Sequence, residues 1–189
     1  MKLIPLYKSV DLNLNSSFMS KLKEVFSGLA ITEVEITSGV RKDYKGSFHY
    51  SGEAIDIHSV KYSSGKKIYF HALNAGYNAL DDGIFFNTLK SKFGDLLQEY
   101  ISPAVIKTSG SDSRANKYRY SKAAEIQAAL KTKSTKGKYD VDSWHLDHLH
   151  LAIAKRFSKK QIAAASGGGI VIIILGAAGY WYYKIRDGK

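Results

Sequence analysis

The spacing of apolar residues changes from helical to alternating within the first forty positions. Across residues 16–28, apolar side chains recur every three or four positions, which predicts an amphipathic helix. Ser16 or Ser17 could cap its first turn. Residues 31–39 instead alternate apolar β-branched and polar side chains and end at a glycine, a pattern that predicts a strand.

The rest of the chain, up to about residue 157, continues this mixture of strands and helices. Residues 52–62 are predicted as a strand, and residues 66–73 as a strand or the start of a helix. An amphipathic helix is predicted for 84–100, a strand for 102–110, a short helix for 121–132 and a last strand for 148–157. Because no regular alternation of strand and helix repeats, the predicted fold class is α+β, in a single small domain.

A long uncharged segment follows the last predicted strand. Residues 162–183 contain 22 positions without a charge, and about 20 apolar residues suffice to span a bilayer. Basic residues flank both ends, so the orientation stays open, and Tyr180–Tyr183 fit an interfacial aromatic belt. The alternative is a buried helix, which so small a domain could hardly surround. We therefore predict a domain over 1–160, a single-pass transmembrane helix over 161–184 and a short basic tail over 185–189.

The charge of the chain favours anionic partners. The net charge is +11, which suits nucleic acid, anionic lipid or a bacterial cell wall. Eight basic side chains fall within residues 114–138, with Tyr118 and Tyr120 among them, and such a mixture can bind single-stranded nucleic acid. A solvated face is the simpler interpretation, which makes nucleic acid the less favoured partner. The chain has no cysteine, so any metal must be held by His, Asp or Glu.

Half of the six histidines lie in one stretch, "HLDHLH", residues 145–150. Read as a strand, this stretch turns His148 and His150 to one face, while the leucines that alternate with them turn to the other. Read as a helix, it would bring His145 next to His148. The continuing apolar alternation downstream favours the strand. No two histidines stand four apart, so the helical HExxH zinc motif is excluded.

A second polar cluster lies in "SFHYSGEAIDIH", residues 47–58. His49 and Asp56 are separated by Gly52, where the chain can turn and bring an imidazole and a carboxylate together. A catalytic zinc takes three protein ligands and a water, so residues 145–150 would supply the third ligand. The alternative is that these are unrelated polar residues on the surface.

Together the two clusters form a longer pattern. Its positions are Ser47-x-His49-x-x-Gly52-x-Ala54-x-Asp56 and, downstream, Asp147-His148-x-His150. This pattern resembles the zinc D-Ala-D-Ala carboxypeptidase family, which includes the vancomycin-resistance D,D-dipeptidases and the phage L-alanyl-D-glutamate endopeptidases, and which shares its fold with the Hedgehog signalling domain. The segment "SGVR", residues 38–41, is similar to the family's Ser-Gly-aromatic-Arg, with Val40 at the aromatic position. The resemblance covers residues 30–155.

The resemblance implies an antiparallel sheet with packed helices, a bound Zn²⁺ and a role for each of six residues. The implied zinc ligands are His49, Asp56 and His150. The implied catalytic residues are Asp147 as general base, His148 as a stabiliser of the tetrahedral intermediate, and Arg41 as a contact to the substrate carbonyl or carboxylate. Of the other histidines, His58 could lie beside the ligands, His145 is expected to be exposed or adjacent to the site, and His71 is expected to be structural.

The function predicted from this resemblance is a membrane-anchored, zinc-dependent metallopeptidase that cleaves a D,D or L-Ala-D-Glu bond in bacterial peptidoglycan. The resemblance to the phage endopeptidases indicates a phage enzyme that degrades the cell wall, either virion-associated or an endolysin. The anchor would then lie in a membrane-containing virion or in the host inner membrane. The alternatives are a non-catalytic membrane-anchored module with a Hedgehog-like zinc site and a basic membrane-linked nucleic-acid binder. The oligomeric state stays open.

Overall fold

The computed structural model describes residues 1–42, 45–108, 111–113 and 145–154, together with the backbone of 114–115, 171–175 and 179–183. The described elements, in chain order, are β1 (Lys2–Pro5), α1 (Ser16–Gly28), β2 (Ile31–Ser38), α2 (Phe48–Ser51), β3 (Ala54–Tyr62), β4 (Lys67–Tyr69), α3 (Ala79–Phe93), a 3₁₀ turn (Gly94–Leu96), β5 (Leu97–Ile101), β6 (Val105–Lys107), β7 (Arg114–Ala115), β8 (Leu149–Ile153), β9 (Val171–Leu175) and β10 (Gly179–Tyr183). The predicted α+β class is confirmed.

Eight of the described strands form one mixed sheet in the order β1-β2-β3-β8-β5-β6-β7, with β4 paired to β3. The expectation of an antiparallel sheet is wrong at one edge, because β1 runs parallel to β2. The other pairings described within this sheet are antiparallel. The last strand of the sheet in sequence, β8, is inserted between β3 and β5.

The first helix has the predicted bounds but a different cap. The side chain of Asn15, not a serine, accepts hydrogen bonds from the backbone N–H groups of Ser17 and Phe18, at 2.9 and 3.3 Å. Such a cap satisfies donors that lack a partner in the first turn. The helix then buries Phe18 and Leu22, among other apolar side chains, in the main core.

The helix predicted for residues 84–100 lies further toward the N-terminus than expected. It begins at Ala79, where the Asn78 side chain accepts a hydrogen bond from the Leu80 backbone N–H, and ends at Phe93. Gly94 follows with a φ of +55°, a conformation that stops the helix. Gly94–Leu96 form the 3₁₀ turn, and Leu97–Ile101 form β5, which pairs with β8, so tertiary pairing outweighs the helical spacing of residues 97–100.

The two faces of β8 separate core from site, as the alternation predicted. Leu149, Leu151 and Ile153 are buried in the main hydrophobic core. His150 and Ala152 lie on the opposite face. Burying each leucine or isoleucine contributes about 1.5–3 kcal/mol of transfer free energy, which anchors the strand that carries His150.

The predicted anchor over 161–184 falls largely outside the described residues. The part that is described consists of β9 and β10, which pair antiparallel in a separate two-stranded sheet. Among the described residues, no helix is both long and apolar enough to cross a membrane. The predicted helix over 121–132 and nearly all of the basic cluster over 114–138 also lie outside the described residues. The anchor therefore stays a prediction.

Candidate metal centre

A short helix and a tight turn place His49 opposite the start of β3. The Ser47 hydroxyl accepts a hydrogen bond from the Tyr50 N–H at 3.2 Å and thereby caps α2. Gly52 ends this helix with a φ of +71°, and a Cβ at that position would lie 2.8 Å from the backbone nitrogen of Asn15. Both facts favour glycine. The chain thus turns where the sequence indicated, and β3 then carries Asp56 back past His49.

Three side chains from distant parts of the sequence meet at this turn. The β3–β8 pairing sets Asp56 opposite His150. Asp56 Oδ1 lies 3.0 Å from both His49 Nε2 and His150 Nδ1, and the two nitrogens lie 3.1 Å apart. His49, Asp56 and His150 are only 1%, 3% and 7% exposed. This buried group could hold a metal ion.

The outer hydrogen bonds of the two imidazoles aim lone pairs at the centre of the group. His49 Nδ1 lies 2.6 Å from the carbonyl oxygen of Gly39, so Nδ1–H donates there and Nε2 keeps its lone pair. His150 Nε2 lies 3.0 Å from Glu99 Oε2. When the ring is neutral and Nε2–H donates to this carboxylate, the lone pair of the ring lies on Nδ1. Partners of this kind fix the tautomer of metal-ligating histidines.

The separations between these atoms fit a small tetrahedral metal ion. Zinc binds nitrogen and oxygen at about 2.0–2.1 Å, so two ligand atoms at tetrahedral angles stand about 3.3–3.4 Å apart. The observed 3.0–3.1 Å is slightly tighter. Two imidazole nitrogens and one carboxylate oxygen are also a donor set that zinc accepts. The donor types and their separations therefore fit Zn²⁺, the ion that the family resemblance implies.

Without a metal, protonated His150 supplies the positive charge at this centre. Burial lowers the pKa of His150, but hydrogen bonds to Asp56 and Glu99 raise it to about 9. Burial raises the pKa of Asp56, but the charge of His148 and the hydrogen bond from His150 hold it well below its usual range. A metal ion and the Nδ1 proton of His150 therefore compete for one position.

Asp147 and His148 form a hydrogen-bonded pair beside His49, Asp56 and His150, the candidate metal group. They lie immediately before β8, which begins at Leu149. His148 Nδ1 lies 2.6 Å from Asp147 Oδ1, and His148 Nε2 lies 3.6 Å from Asp56 Oδ1. Burial raises the pKa of Asp147, but the hydrogen bond and charge of His148 outweigh burial and lower it. Asp147 is thus ionised at neutral pH, and its side chain is 43% exposed.

Arg41 reaches the rim of the same group. One guanidinium nitrogen lies 3.7 Å from Asp56 Oδ2, and the side chain is 48% exposed. The backbone N–H of Arg41 donates to the His49 carbonyl at 3.3 Å, which ties this segment to α2. All six predicted site residues therefore lie around one point, with Arg41 on the solvent side.

Of the other three histidines, His145 lies next to the candidate metal group, whereas His58 and His71 form a separate pair, the far set. The ring of His145 packs against those of His148 and His150, with centroids 4.9 and 5.6 Å apart. His58 packs against His71 at 5.8 Å. His71 Nδ1 accepts a hydrogen bond from the Leu73 N–H at 3.1 Å. Among the described residues, the histidines of the far set are not part of a metal-binding group.

The sequence interpretation missed two groups that hold the imidazoles of His49 and His150 in place. The Gly39 carbonyl had a local signal, because this glycine belongs to the "SGVR" segment. A Cβ there would fall 2.0 Å from the Asp11 carbonyl oxygen, so only glycine fits. Glu99 had no local signal, since it meets His150 only through the β5–β8 pairing.

Comparison of the chain with family models, curated proteins and solved structures finds no match. The resemblance to the zinc carboxypeptidase family therefore depends on the motif residues themselves.

Proposed function

We propose that this protein is a zinc-dependent peptidoglycan peptidase of the D-Ala-D-Ala carboxypeptidase type. The observation that carries the proposal is the convergence of His49, Asp56 and His150 within hydrogen-bonding distance of one another, with an acid–histidine pair beside them. Three ligands on one side of a site leave a fourth position for water, as in catalytic zinc sites.

The chain's own residues would divide the work of peptide hydrolysis. A bound zinc supplies Lewis acidity and a water of lowered pKa. Asp147, ionised and partly exposed, takes a proton from the attacking water and passes it to the leaving amine. His148, oriented by its hydrogen bond to Asp147, places Nε2 beside the developing oxyanion and would stabilise it. Arg41 binds a carbonyl or carboxylate of the substrate at the rim.

The charge of the chain and its uncharged C-terminal segment support the proposed substrate and location. A net charge of +11 suits the anionic bacterial wall, and the uncharged segment of residues 162–183 suits a single-pass anchor. The resemblance to the zinc carboxypeptidase family implies that the bond cleaved is a D,D or L-Ala-D-Glu bond of the stem peptide. A phage that carries the enzyme in a virion membrane, or deploys it from the host inner membrane at lysis, would bring it to the wall.

The test is digestion of isolated peptidoglycan by the purified full-length chain, with mass spectrometry of the new termini. Zinc-loaded protein should release peptides whose ends identify the bond, and chelation should stop the release. Asp147→Asn should lower the rate on the order of 10²–10⁴-fold because it removes the base. Asp112→Asn, at an exposed aspartate, is the matched control. An unchanged rate for Asp147→Asn would falsify the assigned role of Asp147, and no release by the zinc-loaded wild type would refute the peptidase.

One observation favours the second candidate, an anchored binding module. The Asp147 carboxylate already holds His148 at 2.6 Å, a contact that could make the pair structural. Such a module would retain muropeptides in a pull-down without any cleavage product. The same mass spectra therefore separate the two functions.

A further inference from the structure

Glu99 lies outside every motif of the sequence, yet it contacts the metal group directly. It sits on β5 opposite Ala152 of β8, and Ile101 sits opposite His150. Glu99 and His150 therefore project from the same face of the sheet, at the diagonal separation that long side chains can bridge. The carboxylate reaches Nε2 of His150 at 3.0 Å, and the Glu99 side chain is largely buried.

The neutral imidazole of His150 has two competing tautomers, and only one can bind a metal through Nδ1. Asp56 Oδ1 lies 3.0 Å from Nδ1 and attracts the proton to that nitrogen, which would block the lone pair. Glu99 Oε2 lies at the same distance from Nε2 and attracts the proton to the far side. In His49, the Gly39 carbonyl accepts the hydrogen bond from the outer nitrogen, Nδ1, as Glu99 does from Nε2 of His150. Each ligand histidine thus has one oxygen partner on its outer nitrogen.

We propose that Glu99 is a positioning residue that holds the proton on Nε2 of His150 and thereby presents Nδ1 to the metal. Carboxylate partners of this kind orient metal-bound histidines and increase their basicity. The inference rests on the proposed zinc site, but it concerns metal binding and does not require peptidase activity.

The first test is zinc affinity of the full-length chain, measured by chelator competition at alkaline pH so that protons do not compete with the metal. Glu99→Ala should bind zinc about 10–100-fold more weakly. Glu99→Gln should regain much of that loss, because its amide oxygen accepts the same hydrogen bond. Glu33→Gln removes an equal charge from β2, where Glu33 pairs with Lys61, and should bind zinc as the wild type does.

The second test needs no variant. Long-range ¹H–¹⁵N spectra of the zinc-loaded wild type should show Nδ1 of His150 bound to metal and Nε2 protonated. Coordination through Nε2, or wild-type affinity in a folded Glu99→Ala chain, overturns the role of Glu99 alone. If Glu99→Ala does not fold, the wild-type spectrum decides. A wild-type chain that binds no zinc refutes the proposed function and this inference together.

Discussion

The side chains of His49, Asp56 and His150 are buried with their lone pairs directed at one another. These lone pairs repel, so a positive charge between them is needed to stabilise the arrangement. Two imidazole nitrogens and a carboxylate oxygen lie within 3.1 Å of one another, and outer partners hold the rings in place. A proton on His150 can supply this charge, and so can a metal ion. Protons and metal ions should therefore exclude each other at this centre.

The first prediction concerns the pH dependence of metal binding. Because the pKa of His150 is raised to about 9, zinc must displace a proton at neutral pH. We expect apparent zinc affinity to rise about tenfold per pH unit up to pH 9 and then level off, as one-proton linkage requires. Chelator competition across this range measures the slope. A flat profile between pH 6.5 and 9 would contradict the assignment of His150 as a ligand.

The second prediction concerns the stability of the metal-free chain. A raised folded-state pKa means that the folded protein holds the proton of His150 more tightly than the unfolded chain does. This contribution is fully present below pH 6.5 and is lost as pH rises through about 9. Urea denaturation of metal-free protein should show that decline, and excess zinc should remove it. A stability that rises over the same range would contradict the hydrogen bonds assigned to His150.

The three residues of the candidate metal group could be named from sequence, and the groups that support them could not. The motif that resembles the zinc carboxypeptidase family implies His49, Asp56 and His150 as ligands, and the structure brings these three side chains together. Glu99 is 51 positions from His150 and becomes its neighbour only when β5 pairs with β8. No local pattern encodes that register.

At the scale of elements, the geometry of the site depends on the connection from α2 to β3. Gly52 lies in the left-handed region, and a Cβ added there would lie 2.8 Å from the backbone nitrogen of Asn15. The Asn15 N–H also donates to the Gly52 carbonyl at 3.0 Å. The start of α1 and the turn before β3 are therefore one packed unit, and His49 moves with it.

The third prediction tests this connection with Gly52→Ala. The left-handed conformation alone should cost about 1–2 kcal/mol, and the clash with Asn15 adds to it. We expect lower stability in denaturant and weaker zinc binding, because His49 shifts. Gly65→Ala is the matched control: Gly65 has a φ of +87° but nothing within 4 Å. It should lose stability through strain only and keep its zinc affinity, and a zinc loss equal to that of Gly52→Ala would refute the link.

Element boundaries show where sequence patterns fail. The bounds of α1 and β2 follow from periodicity because both bury an apolar stripe in one core. Helical spacing extends through residues 97–100, yet these residues pair with β8 as a strand. The edge strand β1 was not predicted, since its four residues are too short to show alternation. Where neighbouring strands decide the structure, local spacing is not sufficient.

At the scale of the whole molecule, the proposed enzyme combines a basic domain with an uncharged C-terminal segment. The site opens beside Arg41, and the net charge of +11 favours an anionic polymer over a neutral one. The anchor would hold the domain near a membrane and raise its effective concentration at a nearby surface.

The fourth prediction tests the anchor. The full-length chain should float with lipid vesicles and resist extraction by high salt, because some 20 apolar residues partition into the bilayer. A chain that ends at residue 160 keeps most of the basic side chains and should be released by salt, since only electrostatic attraction remains. Full-length protein that salt also releases would exclude a membrane-spanning segment.

The position of β8 has a consequence for the timing of assembly. The neighbours of β8 in the sheet are β3 and β5. During synthesis both strands emerge about fifty or more residues before β8. The sheet has a gap in its centre until residues 149–153 leave the ribosome and insert there. A nascent or terminated chain that ends before β8 therefore cannot assemble His49, Asp56 and His150. If the protein is a wall-degrading enzyme, incomplete chains are harmless to the cell that makes them.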